Sequence, residues 1–405
     1  MFMWEQIRAN KRNSILLLIL MAAVLGLLGW VIGMAVSPDP MAGVFGLTVA
    51  MIIWLILAMV SFSSGDAIFL AASKALPVAK DIHPQLFNVV EEMAVAASLP
   101  MPKVYIINDP APNAFATGRN PQTASIAVTA GLLGRLSRDE LQGVIGHEMS
   151  HILHRDILFV TVAGIMLGAI TLLAQVFLRS MFYSSMAGSS RRYSSRGRGA
   201  GGAQAVLLLI AIVCAILAPI MATLLYFALS RRREYLADAG SARLTRYPVG
   251  LAGALEKISQ NTTPLAVANK VTAPMYIVNP LQKAGMKLSD LTSTHPPISE
   301  RIKILRSMAG ASFVDYSDAF KRTTKYATPI PSSALKTEQA VPVRDPSAQQ
   351  PAVSVKNQHR NIGDIMQRAG GYRFVDCSCG LKMKIPPNYR ASQVACPRCG
   401  QILPI

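Results

Sequence analysis

Charge is what this 405-residue chain has least of: Asp, Glu, Lys and Arg together make up 15% of it, against about 25% in a typical soluble domain. With 51% hydrophobic residues the chain is not disordered, and an ordinary soluble enzyme is a poor fit. Acids are the scarcer sign. Twenty-two Asp and Glu stand against 40 Lys and Arg, a formal net charge of +18, which favours anionic partners such as nucleic acid or an acidic membrane surface. Cysteine is sparse too, and four of the five lie between Cys377 and Cys399. That excludes the disulfide framework of a small secreted domain. Cys214 stands alone in an apolar run and reads as a small buried hydrophobe. No internal repeat is visible.

What the chain has instead is long apolar runs. Four of them, about Ser14–Val36, Gly43–Ser63, Ile157–Leu178 and Val206–Leu229, reach the roughly 20 residues that a helix needs to span a bilayer. Arg8, Lys11 and Arg12 precede the first run, yet it exceeds the roughly 7–15 residues of a signal-peptide core and a second run follows at once. A transmembrane hairpin is therefore expected over residues 1–65. Lys74 and Lys80 flank its far side, so the positive-inside rule puts both flanks in the cytoplasm. The Gly/Ser/Arg stretch Ser184–Gly202 opposes this. Arg179, Arg191, Arg192, Arg196 and Arg198 would lie outside if the hairpin 157–229 crossed fully. The early hairpin and Arg231–Arg233 outweigh that stretch; a second hairpin that only partly enters the bilayer is the other arrangement.

Between and after these runs the sequence reads as soluble. Leu86, Val89, Val90 and Met93 recur at helical spacing, and Lys103–Asn108 and Thr123–Thr129 look like short strands. Ser137 and Glu140 form a capping box with Leu136 and Leu141 placed as a hydrophobic staple, so a helix starts near Arg138 and runs through His154. Soluble sequence resumes at Arg231. A Pro/Ser/Gln-rich stretch, residues 321–360, reads as a flexible linker, and residues 361–405 form a small cysteine-bearing module.

His147-Glu148-Met149-Ser150-His151 is an H-E-x-x-H motif inside that helix. Spacing of i, i+4 puts both imidazoles on one face, where they can share a metal, and the intervening Glu can take a proton from activated water. With only six histidines in the chain, chance is a poor explanation. A third ligand is needed. His154 is on the same face but roughly 10 Å along the axis from His147, and Asp156 fails for the same reason. Glu234 and Asp238, at i, i+4 just after the fourth run, are better placed: one can bind metal while the other orients an imidazole.

Four strings carry a resemblance: NAFATG (Asn113–Gly118), HEMSHILHRD (His147–Asp156), RRREYLAD (Arg231–Asp238) and STHPPISERI (Ser293–Ile302). Together, and in this order, they resemble the HtpX-like membrane zinc endopeptidases, relatives of the CAAX-prenyl endoproteases, over about residues 1–310. The resemblance implies zinc on His147, His151 and Glu234, Glu148 as general base and Asp238 as the group orienting a ligating imidazole. It also implies Asn113 on the substrate backbone and His295 on the tetrahedral oxyanion. The metzincin pattern does not fit, because it needs Gly at position 154.

Cys377-x-Cys379-Gly380 and Cys396-x-x-Cys399-Gly400, 16 residues apart, suit a structural zinc ribbon with no open coordination position. Its neighbours Lys382, Lys384, Arg390 and Arg398 would suit an acidic partner, although a solvated face is the plainer reading. The expected fold is α+β and mainly helical: a zincin-type domain over 66–320, anchored by four transmembrane helices and followed by the linker and ribbon. The expected function is zinc-dependent endoproteolysis of proteins or peptides at the lipid bilayer. By the resemblance, misfolded proteins of a bacterial inner membrane are the substrates, met on its cytoplasmic face. A rival reading is a membrane-tethered binding protein that uses the ribbon and basic loop on nucleic acid or an acidic partner. An intact H-E-x-x-H argues against it, since a scaffold need not keep Glu148.

Overall fold

A computed structural model describes the chain apart from residues 1, 38, 188–199, 267–272, 279, 281–295, 325 and 348–354. Helices α1 (Phe2–Val36) and α2 (Pro40–Ala72) form the first hairpin, its turn fixed by the Asp39 carboxylate accepting from the Met41 N–H at 2.9 Å. Their contact is made by small residues. A Cβ at Gly29 would stand 2.6 Å from the Gly46 carbonyl oxygen, and one at Gly33 would run into the Ala42 carbonyl. Glycine lets the two backbones touch, as helices in lipid require when no hydrophobic force holds them together. Gly33→Leu is accordingly expected to cost about 1–3 kcal/mol by overpacking. Thermal unfolding in detergent measures it, and an unchanged midpoint would count against this packing.

Strand β1 (Ala75–Pro77) follows α2 directly and opens a four-stranded sheet ordered β1-β2-β4-β3, with β2 (Lys103–Ile107), β3 (Ala114–Thr117) and β4 (Ser125–Thr129). β2 and β4 run parallel; β1 and β3 are the antiparallel edges. Helix α3 (Pro84–Ala96) buries Leu86, Val89, Val90 and Met93, the stripe that the sequence spacing predicts. The membrane end of α2 is locked to the sheet through Phe69 and Leu70, which pack with Ile107, Phe115 and Tyr276.

After the single turn α4 (Ala130–Leu133), the helix α5 (Arg138–Leu153) starts at the expected capping box. Ser137 Oγ accepts from the Glu140 N–H at 3.3 Å, and Glu140 Oε2 accepts from the Ser137 N–H at 2.7 Å. Helix α6 (Ile157–Ala187) leaves the soluble part and α7 (Ala200–Thr245) returns to it. Among the described residues four helical stretches are long and apolar enough to cross a membrane: Ser14–Val36, Pro40–Ala72, Ile157–Tyr183 and Ala205–Thr223. They present Ile19, Phe45, Ile52 and Leu209 outward, each more than half exposed. Apolar surface on this scale has lipid as its natural cover. Most of the arginine-rich loop between α6 and α7, with Arg191, Arg192, Arg196 and Arg198, lies outside the described residues.

Helices α8 (Pro248–Ser259), α9 (Ile298–Arg306) and α10 (Phe313–Thr324) close the soluble core around α5 and α7. The next stretch departs from its reading as a flexible linker. Ile330 and Ala334, the latter on the short helix α11 (Ser332–Thr337), enter that core. The Ala311 N–H donates to the Val341 carbonyl, and Glu338 accepts from the Phe313 N–H and pairs with Arg243 at 2.8 Å. Arg344 donates to Asp139 at 2.6 Å and to Gln142 at 2.8 Å, while the Ser347 N–H and hydroxyl bind the same Asp139. Residues 330–347 are a strap across the first turn of α5. Composition hid this because the strap is held by a few apolar plugs and by polar bonds rather than by a periodic apolar face.

Helix α12 (Val355–Ala369) then buries Ile362 against Gly134, with Ile365 and Met366 on the same core. Two small hairpins complete the chain, β5 (Arg373–Asp376) with β6 (Lys382–Ile385) and β7 (Gln393–Ala395) with β8 (Ile402–Pro404). Lys384 reaches Asp364 of α12 at 2.7 Å, and Arg368 lies 4.8 Å from the centre of the Phe374 ring.

Candidate metal centre

Three helices converge on one buried point. α5 supplies His147, Glu148 and His151, α7 supplies Glu234 and Asp238, and α9 supplies Arg301. The imidazoles meet edge to face, their Nε2 atoms 3.2 Å apart. Glu234 faces both imidazoles, one oxygen to each, with Oε2 at 3.6 Å from His147 Nε2 and Oε1 at 3.4 Å from His151 Nε2. Each imidazole is held from behind: His147 Nδ1 lies 3.0 Å from Asp238 Oδ1, and His151 Nδ1 lies 3.1 Å from both oxygens of Asp156. A carboxylate at Nδ1 places the proton there and leaves the Nε2 lone pair facing the centre. Two such lone pairs 3.2 Å apart repel unless a cation lies between them. A tetrahedral zinc ion with ligands at about 2.0–2.1 Å has ligand-to-ligand edges of about 3.3–3.4 Å. The two imidazole nitrogens at 3.2 Å fit that edge, and one ligand atom from each of His147, His151 and Glu234 lies within 4.8 Å of the others, a group able to hold such an ion.

Burial governs the electrostatics. It pushes the Glu148 carboxyl above its ordinary value, and the two imidazoles and a hydrogen bond from the Ala116 backbone only partly oppose it. A carboxylate raised in this way is a stronger base. Burial would raise Asp238 as well, but the Arg301 guanidinium and the His147 imidazole together outweigh it and hold that carboxyl below its usual range. His154 is excluded from the cluster, as its axial offset predicts: it caps the end of α5 with Nδ1 3.2 Å from Ser150 Oγ, and burial lowers it to about 4.

Asn113 has partners other than a substrate in this structure. Its Nδ2 donates to the Val278 carbonyl at 2.8 Å, while the Ile277 N–H donates to the Ala114 carbonyl at 2.9 Å, so the chain itself lies along the start of edge strand β3. His295 lies outside the described residues. Two further side chains belong to the centre in supporting roles that the sequence does not reveal. Asp156 sits beyond the end of α5, and only the left-handed turn at Arg155 (φ 55°) swings it back onto His151. Its one signal is an acid five positions after the second motif histidine. Arg301 stands inside the fourth motif string, unmarked by any spacing rule.

The cysteines form a second group able to hold an ion. Cys377 and Cys399 sulfurs are 3.4 Å apart and those of Cys379 and Cys396 are 3.6 Å apart, with all four within 4.8 Å of one another. Tetrahedral thiolates about 2.3 Å from zinc lie roughly 3.8 Å apart. Gly380 (φ 82°) and Gly400 (φ 75°) make the left-handed turns that fold each pair around such an ion.

Comparisons with known proteins give the chain its relatives. The model of Peptidase family M48 matches residues 82–309. A protease HtpX homolog of Dictyoglomus thermophilum is 46% identical over 305 residues, which is 75% of this chain and 94% of the relative. One of Streptococcus gordonii is 42% identical over 306 residues, covering 76% of this chain and all of the relative. The crystal structure of S. mikatae Ste24p aligns at 19% identity and a TM-score of 0.40, over 74% of this chain and 66% of that one. Fold and site together define a membrane-bound metallopeptidase acting on protein or peptide substrates. The chain belongs to peptidase family M48, with the HtpX protease homologues as relatives. These names set aside the rival binding-protein reading. The cysteine module lies beyond the M48 match.

Proposed function

We propose that this protein is a zinc endopeptidase of a bacterial inner membrane, which cleaves damaged or misfolded membrane proteins at the cytoplasmic face. His147, His151 and Glu234 hold the catalytic ion; the four cysteines hold a second, structural one. The observation that carries the reading is the convergence of His147, His151 and Glu234, one ligand atom from each within 4.8 Å of the others, beside a buried Glu148. Bound there, zinc supplies Lewis acidity for water activation and carbonyl polarisation. Glu148, steadied by the Ala116 N–H, takes the proton of the attacking water and passes it to the leaving amine. Asp238 and Asp156 keep both imidazoles in the Nδ1–H tautomer. Asn113 and His295 are assigned to the substrate backbone and the developing oxyanion by their motifs alone.

Membrane substrates suit the geometry. Ile157, where α6 begins, follows His151 by six positions, and Glu234 follows the end of the fourth apolar run, Leu229, by five. The centre therefore sits close to the bilayer surface, on the side that the first hairpin's basic flanks assign to the cytoplasm. Zinc content of the purified full-length protein tests the ligand set. Glu234→Ala should lose one equivalent of zinc and His154→Ala none, and chelator should stop proteolysis until zinc is restored. The reverse mutational pattern would refute the assignment.

A further inference from the structure

Arg301 is 0% exposed and heads the largest fully buried side chains of the described residues. A guanidinium cannot shed its charge, and burying one is costly unless it is fully paired. Here the pairing is directed at the metal centre. Nε donates to Asp238 Oδ2 at 2.8 Å and Nη2 to Oδ1 at 2.7 Å, a fork meeting a fork. Nη2 also lies 3.5 Å from His147 Nδ1, and Nη1 lies 3.5 Å from Glu234 Oε2 while donating to the Ile277 carbonyl at 3.1 Å.

The two imidazoles are thus supported differently. Asp156 turns both oxygens to His151. Asp238 shares Oδ1 between His147 and Arg301, and its other oxygen belongs to Arg301. Left alone, a single carboxylate can rotate about its Cβ–Cγ bond and carry the imidazole with it. Two parallel N–H···O bonds from a planar donor stop that rotation. The same cation stands between Asp238 and Glu234, the two carboxylates that α7 brings to the centre, and offsets their mutual repulsion.

Resting on the ligand set proposed above, we propose that Arg301 is a positioning residue for zinc: its guanidinium fork locks Asp238 and thereby fixes the tilt and tautomer of His147. A residue that served only to pin α9 to α7 would matter for folding and not for the ion.

The test uses full-length protein in detergent, with active-site zinc defined as the equivalent lost in His151→Ala and its affinity measured by chelator competition. Arg301→Met is expected to weaken that affinity by about 10–100-fold, as loss of a group supporting a ligand commonly does. At saturating zinc, kcat should fall while KM stays within about twofold. Arg301→Lys keeps the charge but not the fork and should recover only part of either loss. Because Arg301→Met leaves Asp238 as a buried unpaired charge, the charge-matched double variant D238N/R301M guards against simple misfolding. Its loss of zinc affinity should equal that of D238N alone, since Arg301 acts through Asp238. Wild-type affinity and kcat in Arg301→Met would overturn the proposal, as would additive losses in the double variant. Full zinc retention in His151→Ala would instead overturn the ligand set beneath it.

Discussion

Glu148→Gln is expected to leave zinc bound and the protein folded while lowering kcat for peptide hydrolysis by at least about 10²–10⁴-fold, the usual contribution of a positioned general base. Gln has nearly the same shape and its carbonyl can still accept from the Ala116 N–H, so packing and the edge strand are undisturbed. What it lacks is a lone pair basic enough to take a proton. His147, His151 and Glu234 do not depend on residue 148 for their positions: they are held by Asp238, Asp156 and Arg301. Metal analysis and single-substrate kinetics on the purified variant decide the matter. Hydrolysis near the wild-type rate at equal zinc content would remove Glu148 from its role.

The second large effect concerns the tail. Removing residues 330–405 is expected to unfold or severely destabilise the peptidase domain, whereas removing only residues 372–405 is expected to leave it folded and active on small peptides. The longer deletion strips Ile330 and Ile362 from the core, worth about 1.5–3 kcal/mol each, against a total stability of about 5–15 kcal/mol for a typical domain. It also unpairs Asp139, which burial would raise but which the Arg344 and Ser347 bonds hold below its ordinary value at the start of the motif helix. The shorter deletion keeps the strap and α12. Thermal unfolding of both truncations alongside the full chain measures this. Equal midpoints for the 330–405 deletion and the intact protein would mean that the strap is dispensable.

The sequence exposes whatever is local or periodic. The capping box at Ser137, the i, i+4 histidines and the four apolar runs each follow from rules that act within a few residues, and the structure has them. Glu234 was within reach because it stands in a second acidic pair, although 83 positions separate it from His151. Asp156 and Arg301 were not. One depends on a left-handed backbone turn, the other on where α9 lands after a long excursion, and neither has a spacing rule. The strap is hidden for the opposite reason: its composition is that of a linker, and its order comes from partners such as Asp139 and Phe313 that lie far away in the chain.

The excursion through α6 and α7 has a bearing on how the enzyme comes into being. The motif histidines are synthesised before the third and fourth spans, and Glu234, Asp238 and Arg301 after them. A nascent chain that has made α5 holds two imidazoles with no opposing carboxylate and no locked tautomer at His147. Only when α6 and α7 have folded against each other, bringing their soluble ends to the same side, can the three ligand atoms meet. Maturation is thereby written into chain order: the centre cannot assemble until the last of these elements has been made and has folded.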